Sequence, residues 1–346
     1  MIEIDGKFLE GGGQILRTAV ALSVVTKKPC HIFNIRNKRP KPGLMTQHLL
    51  TIQALAKLCN GKLEGDELGS EEIWFSPGQT QQKDIALKIN GASSITLILQ
   101  ALIIPCLKNS GPTKISFQGG ATDTFFSPSI DYFRYVFLKI LEKITSQKVA
   151  DVEIRQRGFY PEGGALVEVK IYSTELKKIG LIQRGNLKQI FIISGASEHL
   201  RKNKVAERQS SGAKEILSSQ LKLPIKERVE YYQTLCPGSQ INIIAECENT
   251  NLGVDNLGQL GKSAEEIGQT TAKNFLREGR SQACLDRNLA DQILPFMALA
   301  KGSSEVSVCE ITNHCKTNIW VIEKFIHGKF EIKKEPNLKI IWHPFS

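Results

Sequence analysis

What most constrains this chain of 346 residues is a repeated order of strands and helices. One unit opens with the strand I-E-I-D-G, a glycine-rich turn E-G-G-G-Q and the helix I-L-R-T-A-V-A-L-S-V-V-T. It continues with a strand, C-H-I-F-N-I-R, a helix, L-M-T-Q-H-L-L-T-I-Q-A-L-A-K-L-C, and a β stretch ending near Pro77. A second unit begins I-A-L-K-I-N-G-A-S-S and runs into the helix I-T-L-I-L-Q-A-L-I-I-P-C-L. Then come the strand K-I-S-F-Q-G-G, a helix from about Ser129 to Ile144, and the strands V-A-D-V-E-I-R-Q-R-G and G-A-L-V-E-V-K-I-Y. The order β-α-β-α-β-β thus recurs after about 80 residues, which predicts similar α/β units packed around a common axis.

A third copy is interrupted. Helices are predicted from Ser263 to Arg277 and from Leu289 to Ala300, and strands from Glu305 to Glu310 and from Lys329 to Lys333. Before them lies a segment of different character: a strand, Q-I-F-I-I-S-G, a polar helix from Glu198 to Leu217, and a strand, I-N-I-I-A-E-C. We therefore expect an α/β protein. Three repeated β-α-β-α-β-β units form a large domain, residues 1–181 and 261–346, and a small α/β domain, residues 182–260, is inserted in the third unit. The glycine-containing exit N-L-G-V-D-N-L-G-Q-L-G-K reads as a mobile loop.

The formal net charge is +10, which favours polyanionic partners such as nucleic acid or nucleotides. No apolar run approaches ~20 residues, so no membrane span is expected. The start, M-I-E-I-D-G-K-F-L-E, lacks a basic and then apolar leader. The eight cysteines include no C-x-x-C pair and mostly lie in apolar segments, as expected of reduced, buried thiols in a cytoplasmic protein. Cys309 and Cys315 flank His314, but their spacing matches no zinc pattern.

Several polar residues fall where apolar ones would be expected. Glu10, Gln14 and Arg17 share one face at the start of the first helix, beside Gly11, Gly12 and Gly13. The stretch I-R-N-K-R-P-K-P-G-L-M-T-Q-H holds Arg36, Lys38, Arg39 and Lys41 on a proline-stiffened loop feeding a helix, a setting that suits a phosphate. It equally describes a solvated charge run. Gln100 is polar on an apolar helix and needs partners for its amide if buried. Asp291 and Gln292 lie just inside a predicted helix, where the macrodipole alone would favour an acid. The turn R-G-F-Y-P-E-G-G-A reads as structural. His314 stands at a predicted helix start, ahead of Ile319, Ile322 and Phe325. There an imidazole can be a nucleophile, a base, a metal ligand or a cap. Neither a G-x-x-x-x-G-K-[ST] loop nor a G-x-G-x-x-G turn after a strand occurs, so a bound nucleotide requires another architecture.

Taken together, E-G-G-G-Q-I-L-R, R-x-x-R-x-K-P-G-L-x-x-Q-H, G-G-A-T-D, R-G-x-x-P-E-G-G, L-A-D-Q-I-L-P and H-x-x-T-N resemble the RNA 3'-terminal phosphate cyclase family, in order from residue 10 to residue 318. The resemblance implies the same fold, three α/β units and an insert. It also implies ATP-dependent conversion of an RNA 3'-phosphate end to a 2',3'-cyclic phosphate through a histidine–AMP and an RNA–adenylate. On that resemblance His314 is the nucleophile. Arg17, Arg36 and Arg39 serve ATP or RNA phosphates, and Glu10 helps hold a divalent metal, Mg²⁺ or Mn²⁺. Gln47 and Gln100 are further ATP-site positions, Pro128 is an apolar residue against the adenine, and Asn288, Leu289, Ala290, Asp291 and Gln292 form the nucleotide-site segment. Asn288 stands where the family often has an aromatic residue, Thr46 where it often has a basic one, and Ala165 in place of a further glycine. Two other readings belong to different classes: a catalytically silent relative that binds RNA in ribosome assembly, and an enolpyruvyl transferase. The former lacks the histidine, and the latter has no need of H-x-x-T-N. The partner expected is RNA with a 3'-phosphate end. No aromatic-rich stretch stands out as a stacking platform, so end recognition by phosphate and ribose contacts is expected, salt-sensitive and sequence-tolerant. Oligomeric state is not readable from the sequence.

Overall fold

The computed structural model describes residues 1–9, 11–80, 83–334 and 337–345. The first sheet is built from β1 (Ile2–Asp5), β2 (Cys30–Phe33), β3 (Lys62–Glu64) and β4 (Ile73–Ser76), with helices α1 (Gly13–Thr26) and α2 (Thr46–Cys59). Its order is β1-β2-β4-β3, with the first pair parallel and the other two antiparallel. The second sheet repeats this with β5 (Asp84–Ser94), β6 (Thr113–Ala121), β7 (Ala150–Gln156) and β8 (Leu166–Ile171), in the order β5-β6-β8-β7. Its helices are α3 (Ile95–Cys106) and a helix in three parts: α4 (Ile130–Tyr132), a π turn (Phe133–Phe137) and α5 (Leu138–Thr145).

A two-residue strand, β9 (Gly180–Leu181), starts the third sheet, and the chain then departs. It forms β10 (Leu187–Ser197), α6 (Val205–Gln220), β11 (Ile225–Tyr232), β12 (Ser239–Cys247), β13 (Asn251–Leu257) and α7 (Ala264–Gly279). These strands make a sheet of order β11-β10-β12-β13. The chain returns with α8 (Ala290–Leu299), β14 (Ser304–Ser307), α9 (Asn313–Phe325), β15 (Gly328–Lys333) and β16 (Lys339–Pro344). The third sheet reads β15-β16-β14-β9, again with the β9–β14 pair parallel and the rest antiparallel. The chain is α/β, as expected.

Strand periodicity places the core. In β5, Ile85, Leu87 and Ile89 point inward while Asp84, Ala86 and Lys88 face out. Helices α1 and α3 carry apolar residues all round, a pattern that belongs to the interior. They pack on each other, and α8 and α9 close around them. A polar side chain on such a helix must meet a partner or a cavity. A second core gathers Ile190, Ile192, Leu217, Ile241 and Ile243 with Ile267, Ala272 and Phe275 of α7. Helices α6 and α7 cross closely, because a β-carbon on Gly268 would lie 2.0 Å from the Gln209 carbonyl oxygen.

One expectation is corrected here. Residues 251–257 of the predicted mobile loop form β13, paired antiparallel with β12 from Gln240↔Leu257 to Glu246↔Asn251. Gly253 marks a close approach: a β-carbon there would lie 2.5 Å from Val136 Cγ2. The eight cysteines are unpaired, all buried except the half-buried Cys309. Among the described residues no helix is long and apolar enough to cross a membrane.

Candidate functional site

The helices α1, α3 and α8 follow the first strand of their respective units, and each turns polar residues toward a shared cleft of about 640 Å³. Gln14 and Arg17 come from α1, Gln100 from α3, and Asp291 and Gln292 from α8. Gln14 Nε2 donates to Asp291 Oδ2 at 2.5 Å, and Gln100 Nε2 donates to Gln292 Oε1 at 2.8 Å. Gln14 Oε1 is buried and finds no partner within the protein. The cleft is thus bordered by amides held in place by a carboxyl group and by one another, with acceptor capacity left over.

His314 enters from α9. Thr312 caps this helix, its hydroxyl accepting from the Cys315 N–H at 3.1 Å, and His314 follows in the first turn, exposed to the cleft. The register of α9 is fixed two turns deep. Asn318, buried, donates through Nδ2 to the Asp291 carbonyl oxygen at 2.8 Å and accepts from the Thr18 hydroxyl at 2.8 Å. The asparagine of H-x-x-T-N therefore ties α9 to α8 and α1, and His314 is carried by that tie. The N-terminal end of α9 adds partial positive charge beside the cleft.

The charges respond to this enclosure. Loss of water pushes the Asp291 carboxyl up to about 7, opposed by the Arg17 guanidinium and the Gln14 amide. The same loss of water lowers Arg17 to about 10, opposed by Asp291. The segment before α8 is anchored by Asp286, which accepts from the Tyr132 hydroxyl at 2.6 Å and from the N–H groups of Gly253, Asn288 and Leu289. Burial holds its carboxyl up, at about 6.

The basic loop lies elsewhere, folded over the glycine-rich turn. Lys38 Nζ donates to the Leu9 carbonyl at 3.1 Å, and a β-carbon on Gly12 would meet Arg39 Nη2 at 3.4 Å. Arg36 donates to the Lys41 and Gly43 carbonyls, and burial with Arg39 nearby lowers its guanidinium. Beneath the turn sits His48, buried, whose pKa falls to about 3 through loss of water and the neighbouring Arg17 and Arg36. It is a neutral imidazole that accepts the Met45 N–H at Nδ1. Phe8 stacks on Trp320 of α9 at 4.2 Å, so the turn is also pinned to the helix that carries His314.

Of the residues singled out in the sequence, Arg17, Gln100, Pro128, Asn288, Asp291, Gln292 and His314 line the one cleft. Arg36, Arg39 and Gln47 do not line it; Gln47 is half-buried at the start of α2. Leu289 and Ala290 are fully buried and support the segment from behind. Glu10 lies outside the described residues. Among the described residues no three of His, Cys, Asp or Glu come together to hold a metal. The sequence did not point to Asn274, Arg277 and Glu278 of α7, to Asp255 of β13, or to Arg287 and Phe126, all of which line the cleft. On α7 a charged face beside an apolar one looks solvated, and nothing in the sequence signals otherwise.

The motifs G-G-A-T-D and R-G-F-Y-P-E-G-G lie against each other. Arg157 is buried, donating to Asp123 Oδ2 at 3.2 Å and Asp131 Oδ2 at 2.7 Å, and lies 4.5 Å over the Tyr232 ring of β11. A β-carbon on Gly158 would lie 2.6 Å from the Gly120 carbonyl oxygen of β6, and one on Gly163 would lie 2.3 Å from that of Gly91 in β5, so neither position has room for a side chain. Their role is to join the second sheet to the segment that follows β9.

A family model described as RNA 3'-terminal phosphate cyclase matches residues 8–332. A protein of Thermococcus kodakarensis named RNA 3'-terminal phosphate cyclase is 43% identical over 335 residues, covering 96% of this chain and 95% of its own. Proteins of the same name from Pyrococcus furiosus and Methanopyrus kandleri are 42% and 39% identical, each over 96% of this chain and 95% of theirs. With matches that span both the cleft-forming helices and the segment between β9 and α8, the chain belongs to the RNA 3'-terminal phosphate cyclase family.

Proposed function

We propose that the chain uses ATP to convert an RNA 3'-terminal phosphate into a 2',3'-cyclic phosphate, with His314 as the carrier of AMP. The observation that carries this reading is the opening of His314 into the cleft bordered by Gln14, Arg17, Gln100, Asp291 and Gln292. A phosphate monoester is a poor electrophile, because its leaving group would be an oxide. Adenylylation supplies a good one, AMP.

In the first step a ring nitrogen of neutral His314 attacks the α-phosphorus of ATP, and the bond to the β-phosphate oxygen breaks, releasing pyrophosphate. Negative charge grows on the α-phosphate, and Arg17 is the cation beside it. An oxygen of the RNA 3'-phosphate then attacks the same phosphorus, and the N–P bond breaks to give an RNA–adenylate anhydride. Finally the 2'-hydroxyl attacks the RNA phosphorus, loses its proton and displaces AMP. Leu97 and Pro128 offer apolar surface for the adenine, and the Gln100–Gln292 pair offers polar groups for its edge. Glu10, to which the resemblance assigns a divalent ion, lies outside the described residues, and such an ion is usually held by one or two carboxylates together with the phosphates of the substrate. The reading carries with it a cytoplasmic location, where 3'-phosphate RNA ends and ATP meet.

The test is incubation with ATP labelled at the α-phosphate and a divalent metal, without RNA, followed by denaturing electrophoresis. His314 is exposed, so His314→Ala should fold as the parent does. Label on the parent alone, lost in acid and kept in alkali, supports the reading. A folded parent that takes no label sinks the covalent mechanism and leaves a silent RNA-binding role.

A further inference from the structure

We propose that Phe125 and Phe126, continued by Tyr160, form a ledge on which the terminal bases of the RNA strand stack as its 3' end enters the cleft. The two phenylalanines are the aromatic members among the described residues lining that cleft. They sit in a turn closed by the Ser127 hydroxyl donating to the Thr124 carbonyl at 3.0 Å. Phe126 occupies the tip with a left-handed backbone, φ 61°, a conformation that a β-carbon disfavours. Its ring is fully exposed to water. Phe125, 40% exposed, meets Tyr160, 57% exposed, edge to face at 5.7 Å. An apolar ring held outward by an unfavourable backbone, with only the tilted Phe125 ring beside it at 6.5 Å, calls for a partner from outside.

The direction of the ledge selects that partner. It begins at the cleft rim with Phe125 and Phe126 and runs outward to Tyr160, which does not line the cleft. A mononucleotide would be contained within the cleft, whereas a polynucleotide must leave it. Every base presents a π face, so aromatic rings grip a strand without choosing its sequence. The exposed Arg277 and Arg287 on the cleft wall supply charge for its phosphates. The aromatic platform missing from any single stretch of sequence is assembled from residues 125–126 and 160, on separate turns.

The proposal rests on the RNA-end reading of the cleft, and its test separates the two. Parent, Phe126→Ala, Phe126→Trp and Phe125→Ala/Phe126→Ala are compared in protein–AMP formation without RNA. They are then compared in cyclisation of two oligoribonucleotides with 3'-phosphates, one complete and one abasic at its last residue. Truncating Phe126 removes no buried contact, so folding is preserved. We expect the alanine variants to raise KM for the complete strand by about 5- to 50-fold, the loss of one base stack. The tryptophan variant should stay near the parent, the abasic strand should feel the alanine changes little, and protein–AMP formation should not change. A parallel fall in protein–AMP formation assigns the ledge to adenine and overturns the proposal. So does an equal loss on both strands, or none on the complete one. If the parent forms no protein–AMP, the cyclase reading falls. Fluorescence anisotropy of the same labelled strands then tests the ledge alone, and unchanged affinity in the double variant overturns it.

Discussion

The glycine-rich turn gives a sharp test of how the site is held. A β-carbon on Gly13 would lie 2.0 Å from His48 Nε2 and 2.5 Å from its Cδ2. Ordinary contact needs about 3.5 Å, so the ring would have to retreat by roughly 1.5 Å. It has little room to do so: His48 is 4% exposed and its Nδ1 holds the Met45 N–H at 3.2 Å. Overpacking of this kind costs about 1–3 kcal/mol, and that is the destabilisation expected of Gly13→Ala. His48→Ala removes a buried ring and a hydrogen bond, at about 2–4 kcal/mol. In the double variant the new methyl enters the space the ring has left. Its stability should match that of His48→Ala alone, which is a coupling of about 1–3 kcal/mol between the two positions. Urea unfolding followed by far-ultraviolet circular dichroism reads all four proteins. The packing argument fails if Gly13→Ala is as stable as the parent, or if the two losses add within about 0.5 kcal/mol.

Two further expectations concern charge. Asp291, with its pKa raised to about 7, holds its proton through acid pH and releases it as pH rises through neutrality, adding negative charge to the cleft. ATP affinity should therefore weaken by about 3- to 10-fold more between pH 6 and pH 8 in the parent than in Asp291→Asn. Titration of ATP itself is common to both proteins, so calorimetry showing identical slopes would remove Asp291 as the cause. Arg157 bridges two buried carboxylates, and Arg157→Met leaves both without their main cation, a loss of about 3–5 kcal/mol at pH 8. Burial raises Asp123 to about 6 even with Arg157 present, so its ionisation opposes folding; that stability is full below pH 3.8 and lost as pH rises past 6. Without Arg157 the carboxyl protonates more readily, so the deficit of the variant should shrink from pH 8 to pH 5. A deficit unchanged by pH, measured as unfolding midpoints, would contradict this account.

How much of this was readable beforehand follows from where each residue gets its meaning. The α/β class was legible because strand alternation and helical periodicity are local, as Ile85, Leu87 and Ile89 of β5 illustrate. Gln14, Arg17 and Gln100 were legible as exceptions, polar residues on helices otherwise apolar all round, and such exceptions must face a partner or a cavity. β13 was misread because glycine has two uses that look alike in sequence. Gly253 gives room for Val136 and Tyr132 to approach rather than freedom for the chain to move, and only the tertiary neighbour tells the two apart. β9 has two residues, too few for any periodicity to show.

The cleft wall on α7 and the ledge at Phe126 were illegible for a deeper reason. A functional residue stands out in sequence when it breaks a local pattern, and Arg277 and Glu278 break none, since a charged helix face is what water would also select. Phe125 and Phe126 do break one, as adjacent aromatics before a proline, yet two rings suggest no platform until a turn 35 residues later brings Tyr160 alongside. Sites built on element interiors leave a signature in the chain, because burial makes polarity conspicuous. Sites built on exposed faces leave theirs only in space. This cleft is half of each kind: its floor, from α1, α3 and α8, could be found from sequence, and its outer wall and rim could not. That division also says where substitutions should act. Changes in the buried helices of the floor act on packing, as at Gly13, or on the charge of the cleft, as at Asp291. Changes at the rim, as at Phe126, disturb what the cleft accepts while leaving the fold untouched.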